Sequence, residues 1–162
     1  MDELDFRILE GLSRDARRHY LDLANELGVS DATVHKRVRK LVDDGIIRGF
    51  VTVVDEEKLG YKITAFIEVV VQPGSVESVV PELCAIDGVL EAHELHGHCD
   101  ILLKVRARDL GALRDKLVNR IRAVDEVTST EAFPVLRVAK EEYQISIGAS
   151  KEGPPVASNL EH

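Results

Sequence analysis

Only three residues, Gly28-Val29-Ser30, separate two segments of helical periodicity, and this short connection limits how the chain can fold. Gly28 provides a stop for the first helix, and Ser30 is a natural N-cap for the next. A helix, a tight turn containing glycine and a second helix predict a helix-turn-helix, although a generic αα-hairpin uses the same turn. The apolar positions of the first of these helices are spaced at i, i+3, i+4 and i+7: Tyr20, Leu23, Ala24 and Leu27.

The outer face of the following helix, which ends near Gly45, favours the DNA-binding interpretation. Its inward stripe is Val34, Val38 and Leu41, while small residues and then long cations lie on the outside. Small residues let a helix enter a major groove, and the cations can reach phosphates or guanine edges. The alternative is a basic helix surface that only meets water. The predicted DNA-binding residues are Arg17, Ser30, Ala32, Thr33, His35, Lys36, Arg37, Arg39, Lys40 and Arg48.

Two further segments complete a predicted winged helix-turn-helix over residues 1–54. An earlier helix has one apolar face, formed by Leu4, Ile8, Leu9 and Leu12. After Gly45, the β-branched run from Ile46 to Val54 predicts a strand in the position of a wing, with Arg48 beside the DNA backbone. Residues 55–61 are polar, contain Gly60 and are interpreted as a linker.

Residues 62–147 alternate between strand and helix patterns. Strands are predicted at Ile63–Val71, Val89–His96, Ile101–Ala107 and Val127–Val138, with Pro134 at a bulge or edge. The resulting order, βαββαβ, predicts an α+β chain whose C-terminal domain is ferredoxin-like. A further short strand is expected at Tyr143–Ile147. Residues 148–162 are interpreted as a flexible tail that ends in a purification-tag remnant.

The residues of the two predicted helices in this domain indicate where each helix begins and ends. In the first, Val76, Val79, Val80 and Leu83 have helical spacing, but an interior Pro81 would cost about 3 kcal/mol. A helix that starts at Val80 would place Pro81 in its first turn. The second helix is expected from an Asp109 cap to about Ala123, with an apolar stripe of Leu110, Leu113, Leu117 and Ile121.

The charge distribution is compatible with DNA binding despite a net charge of −8. Residues 1–50 carry a net −1 and residues 51–162 a net −7, while residues 17–48 carry +2. Local charge governs phosphate contacts, so the acidic C-terminal part does not exclude a DNA-binding front. The acidic N-terminus and the lack of a long apolar run predict a cytoplasmic protein without a membrane span. Two cysteines, Cys84 and Cys99, are too few for a disulfide framework.

The ordered set of motifs resembles the Lrp/AsnC family, the feast/famine transcription regulators, from residue 2 to about residue 140. The N-terminal part of the resemblance rests on Leu4-Asp5-Phe6-Arg7-Ile8-Leu9, Asp15-Ala16-Arg17, Leu23-Ala24, Gly28-Val29-Ser30, Thr33-Val34, Arg37-Val38 with Leu41, and Gly45-Ile46-Ile47-Arg48-Gly49-Phe50. The C-terminal part rests on Leu59-Gly60, Gly88-Val89 and Gly97-His98-Cys99-Asp100.

The resemblance implies homodimers that assemble further, often to octamers, with the strand after the helix-turn-helix joining its dimer mate. It also implies a small effector, usually an amino acid, bound near the Gly-x-x-Asp loop. The residues implied for that pocket are Gly97, His98, Cys99, Asp100, Thr128, Ser129 and Thr130. A carboxylate can hold an ammonium group, and backbone N–H groups can hold a carboxylate. Alternatively, Gly97 only makes a turn that Asp100 caps.

Several histidines and a cysteine lie close together in sequence around the same loop, and such residues are common metal ligands. His93, His96, His98 and Cys99 are candidate ligands, but no second ligand cluster is evident in the sequence, so neither a metal nor any other cofactor is predicted. The histidines also allow a pH-sensitive response to the effector.

The prediction for function is a sequence-specific, effector-responsive transcription regulator that binds double-stranded DNA and is not an enzyme. A metal-responsive regulator is one alternative. Sirohaem decarboxylases resemble the same architecture, but this chain has no Trp, and Ile101-Leu102-Leu103 occupies the place expected for their aromatic motif. A module that regulates a partner protein without binding DNA is the remaining alternative.

Overall fold

The computed structural model describes residues 1–142 and 147, which form two compact units: Met1–Val53 with the described residues after Lys140, and Val54–Lys140. The predicted strand at Tyr143–Ile147 and the tail from Gly148 lie outside the described residues, apart from Ile147, which lies in a turn. In the described part of the chain, no helix is both long and apolar enough to span a membrane.

Three helices build the first unit: α1 (Glu3–Arg14), α2 (Tyr20–Leu27) and α3 (Asp31–Asp43). Each presents one apolar face, and the three faces meet in a single core, which confirms the predicted stripes. The buried members are Ile8, Leu12, Leu23, Ala24, Val34, Val38 and Leu41.

The turn between α2 and α3 has the geometry that the sequence predicts. Gly28 has a φ of 70°, in the left-handed region where a residue without Cβ is favoured. The N–H of Val29 donates to the carbonyl of Ala24 at 3.0 Å, which closes the end of α2. The Ser30 hydroxyl then accepts the N–H of Thr33 at 3.1 Å and starts α3.

The wing strand predicted over Ile46–Val54 is not formed in the single chain. The structure describes this whole segment, and none of its residues lies in a strand. Ile47 packs on the helical core, but Phe50, Val51, Val53 and Val54 are exposed. A strand is stabilised by backbone hydrogen bonds to a neighbour, and no other strand lies between Met1 and Val53 to supply them.

The second unit is a four-stranded antiparallel sheet with two helices, in the predicted βαββαβ order. Its elements are β1 (Ile63–Val71), α4 (Val76–Cys84), β2 (Val89–Glu94), β3 (Ile101–Ala107), α5 (Leu110–Arg122) and β4 (Val127–Pro134). The strand order across the sheet is β2-β3-β1-β4, which is the ferredoxin-like arrangement.

The core of this unit lies between the helices and one face of the central strands. Alternate residues of β3 are buried from Ile101 to Ala107, as period-two side chains of a half-covered strand must be. They join Ala65, Ile67 and Val69 of β1 in a cluster with Val79 and Leu83 of α4 and Leu117 and Ile121 of α5. The opposite face exposes Phe66 and Phe133 to solvent.

Both helices of this unit differ from the sequence-based expectation, α4 in where it starts and α5 in its internal geometry. Helix α4 starts at Val76 and keeps Pro81 inside, so the expected start at Val80 is wrong. Val79 and Leu83 are fully buried on either side of the exposed proline, and this burial offsets the backbone hydrogen bond that proline cannot donate. Helix α5 contains a π-helical segment, Leu113–Val118, between Leu110–Ala112 and Asn119–Arg122.

The π-helical segment changes which residues of α5 meet the core. Asp109 caps the helix as predicted, because its side chain accepts the N–H of Ala112 at 2.7 Å. The wider turns bring Val118 into the core beside Leu117, while Leu110 at the start of the helix is exposed. The prediction that Leu110 belongs to the buried stripe is therefore wrong.

Two strands end earlier than predicted. Strand β2 ends at Glu94 rather than His96, because the last backbone bond to β3 runs from the Leu95 N–H to the Asp100 carbonyl at 2.8 Å. Strand β4 ends at Pro134 rather than Val138; one more bond, from the Val135 N–H to the Thr64 carbonyl, follows before Leu136 becomes fully exposed.

The fully buried Leu103 on β3 should be critical for the stability of the second unit. We expect Leu103→Ala to lower its free energy of unfolding by about 2–5 kcal/mol, because the truncation removes buried methyl groups and leaves a cavity. Urea unfolding followed by circular dichroism measures this. Leu136→Ala is the matched control and should change stability by less than about 0.5 kcal/mol; an equal loss in both variants would contradict the assignment of the core.

Candidate DNA-binding surface and effector loop

The exposed face of α3 carries the cations that the sequence singles out. Lys36, Arg39 and Lys40 are exposed, and none forms an ion pair within residues 1–142. Ala32 is exposed on the first turn of the same helix, and Thr33 is half-buried. The helix thus begins with small side chains and continues with cations that no carboxylate among residues 1–142 neutralises, which suits contact with a polyanion.

Arg37 differs from these cations, because two carboxylates near the start of α1 hold it. Its Nη1 lies 2.7 Å from Oδ2 of Asp2 and 3.2 Å from Oδ1 of Asp5, and Asp5 is buried. The Asp5 backbone N–H, and after it the Arg37 guanidinium, lower the pKa of Asp2 below 3.8. The hydrogen bond that Arg37 donates to the Asp2 carboxylate likewise raises the pKa of Arg37. Arg37 therefore joins α3 to α1.

Two neighbours hold His35 at the start of the exposed face. Its ring meets the Tyr20 ring edge-on, with centroids 4.7 Å apart, and its Nε2 lies 3.7 Å from Oδ2 of Asp31. Asp31 therefore makes two favourable interactions. It lies in the first turn of α3, where a negative charge interacts favourably with the helix dipole, and its carboxylate faces the His35 imidazole.

The remaining predicted contacts flank α3 in sequence. Ser30 is the N-cap described above. Arg17 lies exposed between α1 and α2, with its backbone N–H donating to Oδ1 of Asp15 at 2.9 Å. Arg48 is exposed in the segment that forms no strand.

In the second unit, Asp100 fastens the loop between β2 and β3 to the end of β1. Its Oδ2 accepts the backbone N–H of Val71 at 2.8 Å, and its own N–H donates to the Val69 carbonyl at 3.1 Å. The side chain of Asp100 thus anchors the loop to β1 across the sheet, which differs from the expected cap on the Gly97 turn. This anchor involves one carboxylate oxygen, and Asp100 remains only half-buried.

The residues before Asp100 have different surroundings. Gly97 lies in open space, and His98 is exposed with its Nε2 2.9 Å from Oε1 of Glu68 on β1. Cys99 is buried, and this burial, with smaller contributions from the Glu68 and Asp100 charges, raises the pKa of its thiol. The buried thiol is thus a poor candidate for direct contact with an amino acid that binds at the surface of the loop.

The predicted hydroxyl residues of β4 lie at the same end of the sheet. The Thr128 hydroxyl donates to the Val70 carbonyl at 3.0 Å, and Ser129, which pairs with Val70, is exposed. The Thr130 hydroxyl accepts from Nε of Arg122 at 2.7 Å. Because β1 lies between β3 and β4, Asp100 and Thr128 flank its last residues from opposite sides. The fold therefore places both predicted groups of residues at the same end of the sheet, with β1 between them.

The histidines are not brought together. His93 bonds to Glu91 at 3.0 Å on the edge strand β2, and His96 is exposed in the loop. Instead, one ligand atom from each of Glu68, His98 and Cys99 lies within 4.8 Å of the others. Sequence reasoning missed Glu68, and it also missed Asp2 and Asp5 as partners of Arg37. A period-two pattern places Glu68 away from the apolar core, but only pairing with β3 shows which loop it meets.

Comparison with known proteins agrees with both units. The model for the Lrp/AsnC ligand binding domain matches residues 64–145, and that for a winged helix-turn-helix DNA-binding domain matches residues 1–48. The chain belongs to the Lrp/AsnC family. It is 38% identical over 146 residues to the regulatory protein AsnC of Haemophilus influenzae, covering 86% of this chain and 97% of the relative.

Solved structures of the family have the same fold. Escherichia coli AsnC superposes with a TM-score of 0.84 at 37% identity, covering 90% of this chain and 98% of that one. A Neisseria meningitidis regulator, solved as a complex with L-Met, gives a TM-score of 0.83 at 22% identity, covering 90% and 96%; this likeness shows the fold alone. These matches confirm the predicted family and fold, a winged helix-turn-helix followed by an α+β ligand-binding domain.

The contacts of Arg37 predict a stability change that depends on pH. We expect Arg37→Gln to lower the unfolding temperature of the first unit at pH 7. The folded-state pKa of Asp2 is depressed, so its stabilising contribution is complete above 3.8 and is lost as the pH falls through the folded-state value. The difference between wild type and variant should therefore shrink below pH 3.8. Differential scanning calorimetry against pH measures it.

Arg39→Gln is the matched control for this prediction, since it removes the same charge from the same helix without breaking an ion pair in the described part of the chain. It should leave the unfolding temperature nearly unchanged. Equal destabilisation by both variants would contradict a structural role for Arg37.

Proposed function

We propose that this Lrp/AsnC regulator binds double-stranded DNA in a sequence-specific way through the exposed face of α3, and that an amino acid bound beside Asp100 changes its DNA affinity or assembly. The observation that carries the DNA-binding part is the set of exposed, unneutralised cations on α3: Lys36, Arg39 and Lys40. Phosphate contacts supply most of the affinity, and residues at the start of the helix, such as Ala32 and Thr33, approach base edges.

Within this proposal, the predicted DNA-binding residues have unequal roles. Arg17, Arg48 and the three free cations of α3 contact phosphates or bases directly. Arg37 acts by holding α3 against α1, since Asp2 and Asp5 already occupy its guanidinium. The Ser30 cap and the Tyr20 contact of His35 set where α3 begins.

An amino acid fits the chemistry at the end of β1. One Asp100 oxygen holds the Val71 N–H, which leaves the other to accept from an ammonium group. Hydroxyl and backbone N–H groups at Ser129 and Gly97 can donate to a carboxylate. His98 borders the loop, whereas Cys99 supports it from the buried side.

Association of copies is part of the proposal. The segment Ile46–Val54 exposes apolar, β-branched residues without a strand partner, and Phe66 and Phe133 are exposed on the open sheet face. A second copy can supply the missing strand and cover the sheet in a closed, symmetric dimer. Further assembly to an octamer would bring several DNA-binding units together, and the effector would shift the population between assemblies.

We propose that the protein regulates transcription rather than catalysing a reaction. It would act in the cytoplasm, where the DNA is. The sirohaem-decarboxylase alternative needs a tetrapyrrole site, and the matching positions carry Ile101 and Leu103, which are fully buried in the core. The absorbance of added tetrapyrrole should therefore stay unchanged.

The DNA-binding proposal predicts a specific change in salt dependence. We expect the double variant Lys36→Ala/Arg39→Ala to bind the DNA upstream of this protein's own coding region at least about tenfold more weakly than the wild type. The slope of log affinity against log salt concentration should fall in magnitude by about 1.8, because each lost phosphate contact contributes about 0.9. Fluorescence anisotropy at several salt concentrations measures both quantities.

Lys116→Ala/Arg120→Ala is the matched control, since it removes two exposed cations from the second unit. It keeps the same net charge as the α3 variant and should retain the wild-type slope. If both double variants lose the same slope, general charge rather than α3 attracts the DNA.

The effector proposal predicts that Asp100→Asn abolishes most of the response. Asparagine still offers an oxygen to the Val71 N–H, so the loop keeps its anchor while the charge is lost. Because a hydrogen bond to a charged group contributes about 1.5–3 kcal/mol, affinity for the responsive amino acid should fall about ten- to a hundredfold. A thermal-shift screen of the twenty amino acids, followed by calorimetry, measures it. The exposed Asp125→Asn is the control, and equal affinity in wild type and Asp100→Asn would refute the pocket.

A further inference from the structure

A cluster of three different ligand types joins β1 to the loop between β2 and β3. Glu68 lies on β1, while His98 and Cys99 lie in the loop about thirty residues later. Their carboxylate oxygen, imidazole nitrogen and thiol sulfur lie within 4.8 Å of one another. The sequence lacked a second ligand segment for a metal site, and the sheet register supplies it, because Glu68 pairs with Leu102 just beyond the loop.

We propose that Glu68, His98 and Cys99 form a site for a divalent transition-metal ion, with Zn²⁺ as the best fit. Zinc accepts oxygen, nitrogen and sulfur ligands in a tetrahedral arrangement, and three protein ligands leave the fourth position for water. A carboxylate, a thiolate and a neutral imidazole balance the charge of the ion. When the ion binds, the thiol proton passes to solvent and an S–Zn bond replaces the S–H bond.

Binding of the ion would change the distances between ligand atoms by up to about 1.2 Å from the 4.8 Å limit of the cluster. Nε2 of His98 lies 2.9 Å from Oε1 of Glu68, whereas nitrogen and oxygen ligands on one tetrahedral zinc lie about 3.3 Å apart. The sulfur would have to lie about 3.6 Å from each of the others. His98 has 79% of its side chain exposed, so its ring is free to move and leaves a path for the ion, while Glu68 at 22% is held by its strand.

His93 and the second cysteine, Cys84, do not belong to this site. Nε2 of His93 is bonded to Glu91 on the edge strand, and Cys84 is exposed at the end of α4. These residues provide matched controls with the same side-chain chemistry on the same unit. The proposed ion would fasten the loop that contains Asp100 to β1.

Titration of the chain, stripped of metal and without an added polyhistidine tag, tests the proposal. Calorimetry with Zn²⁺ should show one ion per chain, and Co²⁺ should give the near-ultraviolet charge-transfer band of a thiolate ligand. We expect Cys99→Ser to abolish that band, and His98→Ala and Glu68→Gln to weaken Zn²⁺ binding at least tenfold. Cys84→Ser and His93→Ala should keep both the band and the affinity.

The outcomes separate this site from the regulatory function. Absence of Zn²⁺ binding, or binding that survives in Cys99→Ser and His98→Ala but is lost in Cys84→Ser or His93→Ala, overturns the metal site. Since the exposed His98 can be replaced without disturbing the core, its variant remains informative if Cys99→Ser fails to fold. DNA binding measured on the same samples tests the regulator proposal separately, because none of the three ligands lies on α3.

Discussion

Burial of one face of the central strands β1 and β3 is the constraint on which the ligand-binding unit depends. Alternate side chains of both strands are removed from water against α4 and α5, so the register between them cannot slip by one residue without exposing a whole apolar face. That register places Asp100 at the end of β1. Strand β4 pairs with the other edge of β1 and brings Thr128 and Ser129 to the same end. The candidate effector site thus follows from core packing.

The helical unit is organised differently, through a small apolar core and a polar contact at its edge. The buried Asp5 carboxylate forms a capping box with Asp2 at the start of α1, and both accept from Arg37 of α3. One guanidinium therefore ties two helices together, while Lys36 and Arg39 on the same helix form no ion pair with any residue that the structure describes. This division within one basic helix explains why charge alone does not identify the DNA contacts.

Two exposed apolar surfaces of the single chain, the wing segment and the open face of the sheet, support the proposed association of copies. The wing segment has strand-forming residues but no neighbour, and the open sheet face carries aromatic residues in water. Backbone groups of a strand need a partner, and the described residues of the single chain provide none for the wing. The loop between β2 and β3 adds local chemistry to this framework, since it combines an anchoring carboxylate, a buried thiol and an exposed imidazole within three residues.

The sequence by itself determined the order of the elements, the helix-turn-helix turn and most of the core, because Gly28, Ser30, Asp109 and the apolar periodicities act over a few residues. It also determined which residues carry charge on α3. Only the tertiary structure decided the partner of Arg37, the helical state of Pro81, the π-helical segment of α5 and the meeting of Glu68 with His98 and Cys99. These features depend on contacts between residues far apart in the chain, where packing outweighs local propensity and where spacing in sequence contains no distance information.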